Sequence, residues 1–348
     1  MTIHKTSLQT SQGEISVLTL QNNKGTRATV TNLGASLLEL WVSDSSGHYH
    51  DVVLGFNDIE AYLTNTDTYF GATVGRNANR TEKGQITLNG QVYQLPQNEG
   101  EKNLHSGPDG YQLRIWQVEQ IDDHNNRLIF KLHSPDGDQG FPGNLDMTAT
   151  YTLSEDDQLT ISYQGKADQD TIFNPTNHTY FNLNGHNTGL IEDHQLQINA
   201  DYMVPINEDA IPLGEKRAVA DSPFDFRQIK TIGQDIHSQD YQIQVANGYD
   251  HTWLKKDTTT DVPIVTLIGN QTGITLTLSS NLPGVQVYTG NFIKDQKGKE
   301  KTLYQARTGV ALETQYVPNA INMTVFEKPI LKKGQTKTYT THFKFSTL

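Results

Sequence analysis

The chain has 348 residues, a formal net charge of −12 and no cysteine. The acidic balance, with no extended Lys/Arg block, argues against a nucleic-acid partner, and the missing cysteine excludes disulfide scaffolds, thiolate metal sites and cysteine nucleophiles. Hydrophobic content of 35% gives ample core material. Without a basic-then-apolar start or an apolar run of spanning length, the expectation is a soluble, cytoplasmic protein with no membrane partner.

In chain order, His48-Tyr-His50 forms a polar hairpin tip, because it lacks the further ligands a metal site needs. Asn57-Asp-Ile-Glu-Ala-Tyr62 starts a short helix. Ile86–Tyr93 is a hairpin whose Asn89-Gly90 pair supplies the positive φ angles of a tight turn. Leu145, Met147, Ala149, Tyr151 and Leu153 alternate with polar residues, the period of a half-buried strand. A further helical turn or two is expected near Gln228–Tyr241, a loop of hairpin length over Lys255–Val262, and a solvated loop over Lys294–Lys301. Ile274, Leu276 and Leu278 alternate again, as do Tyr339, Thr341, Phe343 and Phe345. Strands divided by turns, with almost no amphipathic helix between them, predict an all-β fold. The expected form is one large antiparallel β-sandwich domain over residues 1–348.

Five segments carry more chemistry than a strand or loop requires. Gly75-Arg-Asn-Ala-Asn-Arg80 offers two arginines and two asparagines, as donors for a sugar or carboxylate or as a polar turn. Asn103-Leu-His-Ser-Gly-Pro-Asp-Gly110 holds His105 at a Gly/Pro-rich turn. Asn174-Pro-Thr-Asn-His-Thr-Tyr-Phe-Asn-Leu183 sets His178 among amides and hydroxyls, with Tyr180 and Phe181 as flat apolar faces. That kit suits a polyhydroxylated ring needing one proton moved. Gly248-Tyr-Asp-His-Thr-Trp253 offers Asp250 and His251, its aromatics being the commoner material of a core. In Gly309-Val-Ala-Leu-Glu-Thr-Gln-Tyr-Val-Pro318 an apolar run delivers Glu313, whose poor solvation raises its proton affinity unless donors compensate.

Together with Pro283-Gly-Val-Gln-Val-Tyr-Thr-Gly-Asn291, these segments resemble the signatures of the aldose 1-epimerase (galactose mutarotase) family. They fall at 75–80, 103–107, 177–183, 250–251, 283–291 and 312–315, in the family's order and across nearly the whole chain. The resemblance implies the family's large antiparallel supersandwich, no cofactor and no metal. It implies Glu313 as general base and His178 as general acid, with Asn79, Arg80, His105, Asp250 and Gln286 holding the sugar; Tyr180 adds an aromatic face. The partner implied is a small-molecule aldose, the chain acting as a monomer or homodimer. Ser106, Tyr111 and Tyr316-Val317 depart from the family pattern and are expected near the sugar's rim.

The implied reaction interconverts α and β anomers of free hexoses. Opening the hemiacetal removes the proton of the C1 hydroxyl and gives one to the ring oxygen, so a base and an acid must stand beside one C–O bond. An ionised Glu313 and a protonated His178, each favouring the other's charge, are the expected state. A sugar-binding sandwich without catalysis, an enzyme for hexose 6-phosphates and a metal-dependent sandwich enzyme are the rival readings. Preferred aldose and pathway are not legible.

Overall fold

The computed structural model describes residues 3–10, 12–256, 259 and 262–348. The alternating segments form an antiparallel nine-stranded sheet in which the last strand, Thr336–Thr347, is central: it pairs with Gln158–Ala167 on one side and Ile274–Ser280 on the other. Beyond Gln158–Ala167 lie Leu145–Leu153 and Arg127–Ser134. Leu145–Leu153 buries the five apolar residues of its period and leaves the residues between them at least partly exposed.

A six-stranded sheet runs Tyr180–Phe181, Val310–Gln315, Gly284–Tyr288, Asp250–Leu254, Tyr202–Val204, Arg217–Ala218. A five-stranded meander is made of the strands from His4–Thr10 to Tyr49–Asp51. One continuous core joins all three, including Leu18 and Val30 of the meander, Val285 and Leu312 of the six-stranded sheet, and Met147 and Phe343 of the nine-stranded one. The two larger sheets meet face to face, with the Phe181 and Phe343 rings 5.6 Å apart and the hydroxyls of Thr314 and Thr341 hydrogen-bonded at 2.6 Å. The all-β sandwich is therefore the observed architecture.

The Asn89-Gly90 hairpin forms as expected, with φ of 52° and 79°. The first helical signal becomes a 3₁₀ helix, Ile59–Thr64. Over 228–241 a short strand, Lys230–Thr231, and a 3₁₀ turn precede the α-helix Tyr241–Ala246, whose first turn Asp240 caps by accepting from the Gln242 amide. Two expectations need correcting. The loop over 255–262 crosses between sheets, since Asp250–Leu254 and Val265–Ile268 belong to different ones; residues 257, 258, 260 and 261 lie outside the described set. The 294–301 loop is not wholly solvated. Lys299 is buried, and its Nζ donates to Asp51 Oδ2 at 2.6 Å and to the Val53 carbonyl at 2.9 Å. The buried Asp51 carboxylate requires that counter-charge. At the 48–50 tip, Asp44 holds the His50 ring at 2.9 Å.

Candidate active site

Side chains alternate faces along a strand, and residues paired across strands share a face. In the six-stranded sheet the register pairs Tyr180 with Ala311, Gln286 with Glu313, Thr252 with Gln286, and Asp250 with Tyr288. Tyr180, Glu313, Gln286, Tyr288 and Asp250 therefore share one face. The alternate residues Phe181, Val310, Leu312, Val285, Val287 and Trp253 turn the other way and enter the main core. One register thus makes the same strands core on one side and site on the other. Glu313 sits on an interior strand whose six residues are all buried.

Over the polar face lies a cleft of about 420 Å³ lined by Glu313, His178, His105, Arg80, Asn79, Asp250 and Tyr180 among others. His178 is fixed by its backbone: its N–H donates to Ala72 O at 2.9 Å, and its carbonyl accepts from Gly71 N at 3.1 Å. Its Nε2 stands 3.6 Å from Glu313 Oε1, both side chains being almost fully buried. His178 Nδ1 and Glu313 Oε2 have no protein partner. Asn79 and His105 both occupy the left-handed region, with φ of 64° and 50°, and lock together there. The Asn79 amide donates to His105 Nδ1 at 3.1 Å, and the His105 amide donates to the Asn79 carbonyl at 3.1 Å. The neutral His105 ring therefore carries its proton on Nε2. Glu99 grips Arg80 in bidentate fashion at 2.8 and 2.9 Å, leaving Nη1 3.6 Å from Asp250 Oδ2.

Burial dominates the electrostatics. It pushes His178 down to about 4 and lifts Glu313 well above the usual carboxylate range, with the Asp250 charge adding to the lift and Arg80 opposing it. His105 is likewise driven well down by burial. The expected mutual stabilisation of an ion pair is thus reversed: without a hydrogen bond between them, the Coulombic gain is smaller than the lost hydration. The free site favours a neutral imidazole beside a neutral carboxyl. Donor atoms of His105, His178 and Glu313 lie within 4.8 Å of one another, the donor types of a metal site. The fit is poor, because the Asn79 amide occupies His105 Nδ1 and keeps the proton on Nε2.

All but one of the expected site residues line the cleft. Gln286 does not; it lies behind Asp250, donating to Asp250 Oδ1 at 2.7 Å and accepting from the Thr252 hydroxyl at 2.5 Å. Other polar groups of the signature segments serve the fold. Arg76 turns inward to the carbonyls of Pro142 and Gly143, while Asn174 bridges Asn77 and the Tyr316 amide. Thr176 bonds the Thr314 carbonyl and Asn177 the Gly71 carbonyl. His251 and Tyr249 are fully buried, as is Trp253. The departures expected at the rim are buried too and do not line the cleft. Ser106 holds a φ of 74°, which favours glycine, while its hydroxyl bonds both the amide and the carbonyl of Asn77. Gly75 is required by Tyr111, whose ring a Cβ there would approach to 2.7 Å. Cleft residues not anticipated include Tyr69, Glu99, Lys102, Tyr288 and Phe292. Tyr288 was within reach, two positions beyond Gln286 on the same strand face.

The antiparallel sandwich thus carries on one face a buried histidine–carboxyl pair under a cleft of directional donors, an arrangement suited to a hydroxyl-rich ligand. The sequence profile of the family described as aldose 1-epimerase matches residues 16–344, and the chain belongs to that family of isomerases. It is 37% identical to a galactose mutarotase of Sus scrofa over 340 residues, covering 97% of this chain and 96% of that one. It is also 37% identical to an aldose 1-epimerase of Haemophilus influenzae, covering 94% and 95% respectively. Among solved structures it resembles a galactose 1-epimerase of Lactobacillus acidophilus with a TM-score of 0.88 and 30% identity, covering 100% of this chain and 99% of that one.

Proposed function

We propose that the chain interconverts the α and β anomers of free hexoses such as galactose and glucose, with Glu313 and His178 as the proton-transfer pair. The observation that carries the reading is their facing position, Nε2 3.6 Å from Oε1, buried at the cleft with one further polar atom on each unpaired. In ring opening, Glu313 takes the O1 proton as its electron pair forms the C1 carbonyl. The C1–O5 bond breaks onto O5, which receives the His178 proton. An imidazolium–carboxylate pair thereby becomes a neutral pair. Rotation about C1–C2 and the reverse transfers close the ring as the other anomer.

The pair carries one proton throughout; only its position changes. Burial favours the neutral arrangement, which accompanies the open aldehyde, and so offsets part of the cost of opening. The cyclic sugar's hydroxyls would favour the charged arrangement by hydrogen-bonding it. Arg80, Asp250 and His105 Nε2–H clamp other hydroxyls, Asn79 holds His105, Tyr180 offers a ring face, and Gln286 positions Asp250. Phosphorylated hexoses fit poorly, because Asp67, Glu99, Glu208 and Asp209 outnumber the cleft cations Arg80 and Lys102, and both cations are paired. The reading includes a single domain, supported by the core shared among the sheets, and a cytoplasmic enzyme that is monomeric or homodimeric. Among the described residues no helix is long and apolar enough to cross a membrane.

The test is polarimetric. Freshly dissolved α-galactose should reach its equilibrium rotation faster in proportion to added protein. Relaxation at the buffer rate would overturn the reading.

A further inference from the structure

No hydrogen bond to another residue orients the His178 imidazole. Its Nδ1 has no protein partner, and its Nε2 stands 3.6 Å from Glu313 Oε1, too far to bond. Such a bond ordinarily fixes the plane and tautomer of a histidine that moves protons. Rings stand there instead. Tyr69 stacks on the imidazole with centroids 5.6 Å apart and planes 29° from parallel, Tyr180 lies tilted at 5.0 Å, and His105 meets it edge-on at 5.3 Å. All three lie in the range where aromatic pairs attract. Of these, only Tyr69 has no part in holding the sugar.

The backbone is arranged to deliver this contact. Tyr69 holds a φ of 53°, uncommon for a bulky residue, and such strain persists only where the surroundings over-determine it. Here they do. The buried Asn65 side chain accepts from the Phe70 amide at 3.1 Å and the Thr68 hydroxyl at 3.0 Å, and donates to the Phe70 carbonyl at 3.1 Å. Just beyond, the Gly71 amide donates to the His178 carbonyl, and the Ala72 carbonyl accepts from the His178 amide. The same turn therefore holds the backbone of His178 and lays a ring on its side chain. Burial, with the charges of Glu99 and Asp67, pushes the Tyr69 phenol up to about 12, so it presents a neutral face.

We propose that Tyr69 is a positioning residue for the proton donor: its ring sets the plane of the His178 imidazole and keeps water from it. The ring acts, not the hydroxyl. The inference rests on the cleft being the anomer-interconverting site and adds one residue to its machinery.

The experiment combines polarimetry of fresh α-galactose with imidazole NMR on the full chain, the His178 signal being the one lost in His178→Asn. Tyr69→Phe keeps the ring. Tyr69→Asn, suited to the left-handed φ, and Tyr69→Leu, which stays apolar, remove it. Tyr69→Phe should keep kcat within about two-fold of the wild type, whereas each folded ringless variant should lose about ten-fold with KM little changed, the scale of a lost aromatic contact. The titratable groups facing the imidazole are Glu313, His105, Tyr69 and Tyr180. With the other three kept, loss of the Tyr69 ring admits water, and the His178 midpoint should rise from about 4. Unmoved kcat in a folded ringless variant, a loss of kcat with an unmoved His178 midpoint, or a rise in KM alone would overturn the role. Tyr69→Phe as slow as a lost ring would overturn it even if both ringless variants misfold. Failure of the wild type on galactose would overturn the anomer reading and this role with it, whereas the NMR midpoints, read without sugar, judge the ring contact by itself.

Discussion

Among the described residues stand two buried acid–base couples, and they are built in opposite ways. Asp51 and Lys299 touch at 2.6 Å, and each has a further partner: Asp51 Oδ1 accepts from the Leu40 amide at 3.0 Å, and Lys299 donates to the Val53 carbonyl at 2.9 Å. Glu313 and His178 stand 3.6 Å apart with an unpaired atom on each. Both couples are hidden from water, so burial alone does not mark a reactive pair. The difference is satisfaction. A directly bonded pair with further partners holds the 299 loop to the meander, whereas a pair left apart keeps its lone pairs and protons for a ligand.

Substitution should separate the two most sharply. Glu313→Gln and His178→Asn are each expected to lower kcat about 10²–10⁴-fold, the scale of a lost acid or base, while thermal unfolding shows no loss of stability. Polarimetry near the wild-type rate in either variant would remove that residue from the chemistry. Lys299→Met should do the reverse, costing about 3–5 kcal/mol by leaving Asp51 buried and unpaired, with kcat for galactose little altered in the folded fraction. Burial already raises Asp51, with the Lys299 charge pulling against it. Without the lysine the native state holds a proton that the unfolded chain releases above its ordinary carboxylate range. The variant's deficit, read by urea unfolding, should therefore grow as pH rises and shrink in acid.

The smallest effect is in the pH profile. Because His178 lies at about 4 and Glu313 well above its ordinary range, the first proton belongs to the carboxyl and the second to the imidazole. The pair holds its single working proton between those two values. kcat/KM should therefore fall in acid near pH 4, as His178 takes the second proton, and fall in base as Glu313 loses the first. An acid limb near 6.5, the ordinary histidine value, would show that burial does not govern the pair.

The order of the signature segments was legible, and so was the alternation of strands such as Leu145–Leu153, because both are properties of neighbouring residues. Burial of Glu313 could be read the same way, from the apolar run before it. Which groups of a segment face a ligand could not be read. Asn174, Thr176 and Asn177 carry the same chemistry as a sugar clamp, but their partners Tyr316, Thr314 and Gly71 are distant in the chain. Gln286 looked like a sugar contact, since nothing local distinguishes a residue touching substrate from one holding Asp250.

By itself, then, the chain's pattern determined the β class and the turns, while Glu313 and His178 stood out as the expected proton-transfer pair only through the resemblance to a family. Tertiary structure alone decided that His178 comes within reach of Glu313, because a register linking residues over 100 positions apart sets that distance. It also decided the resting charge of the pair, since burial from several sheets at once removes the water that would keep both ionised.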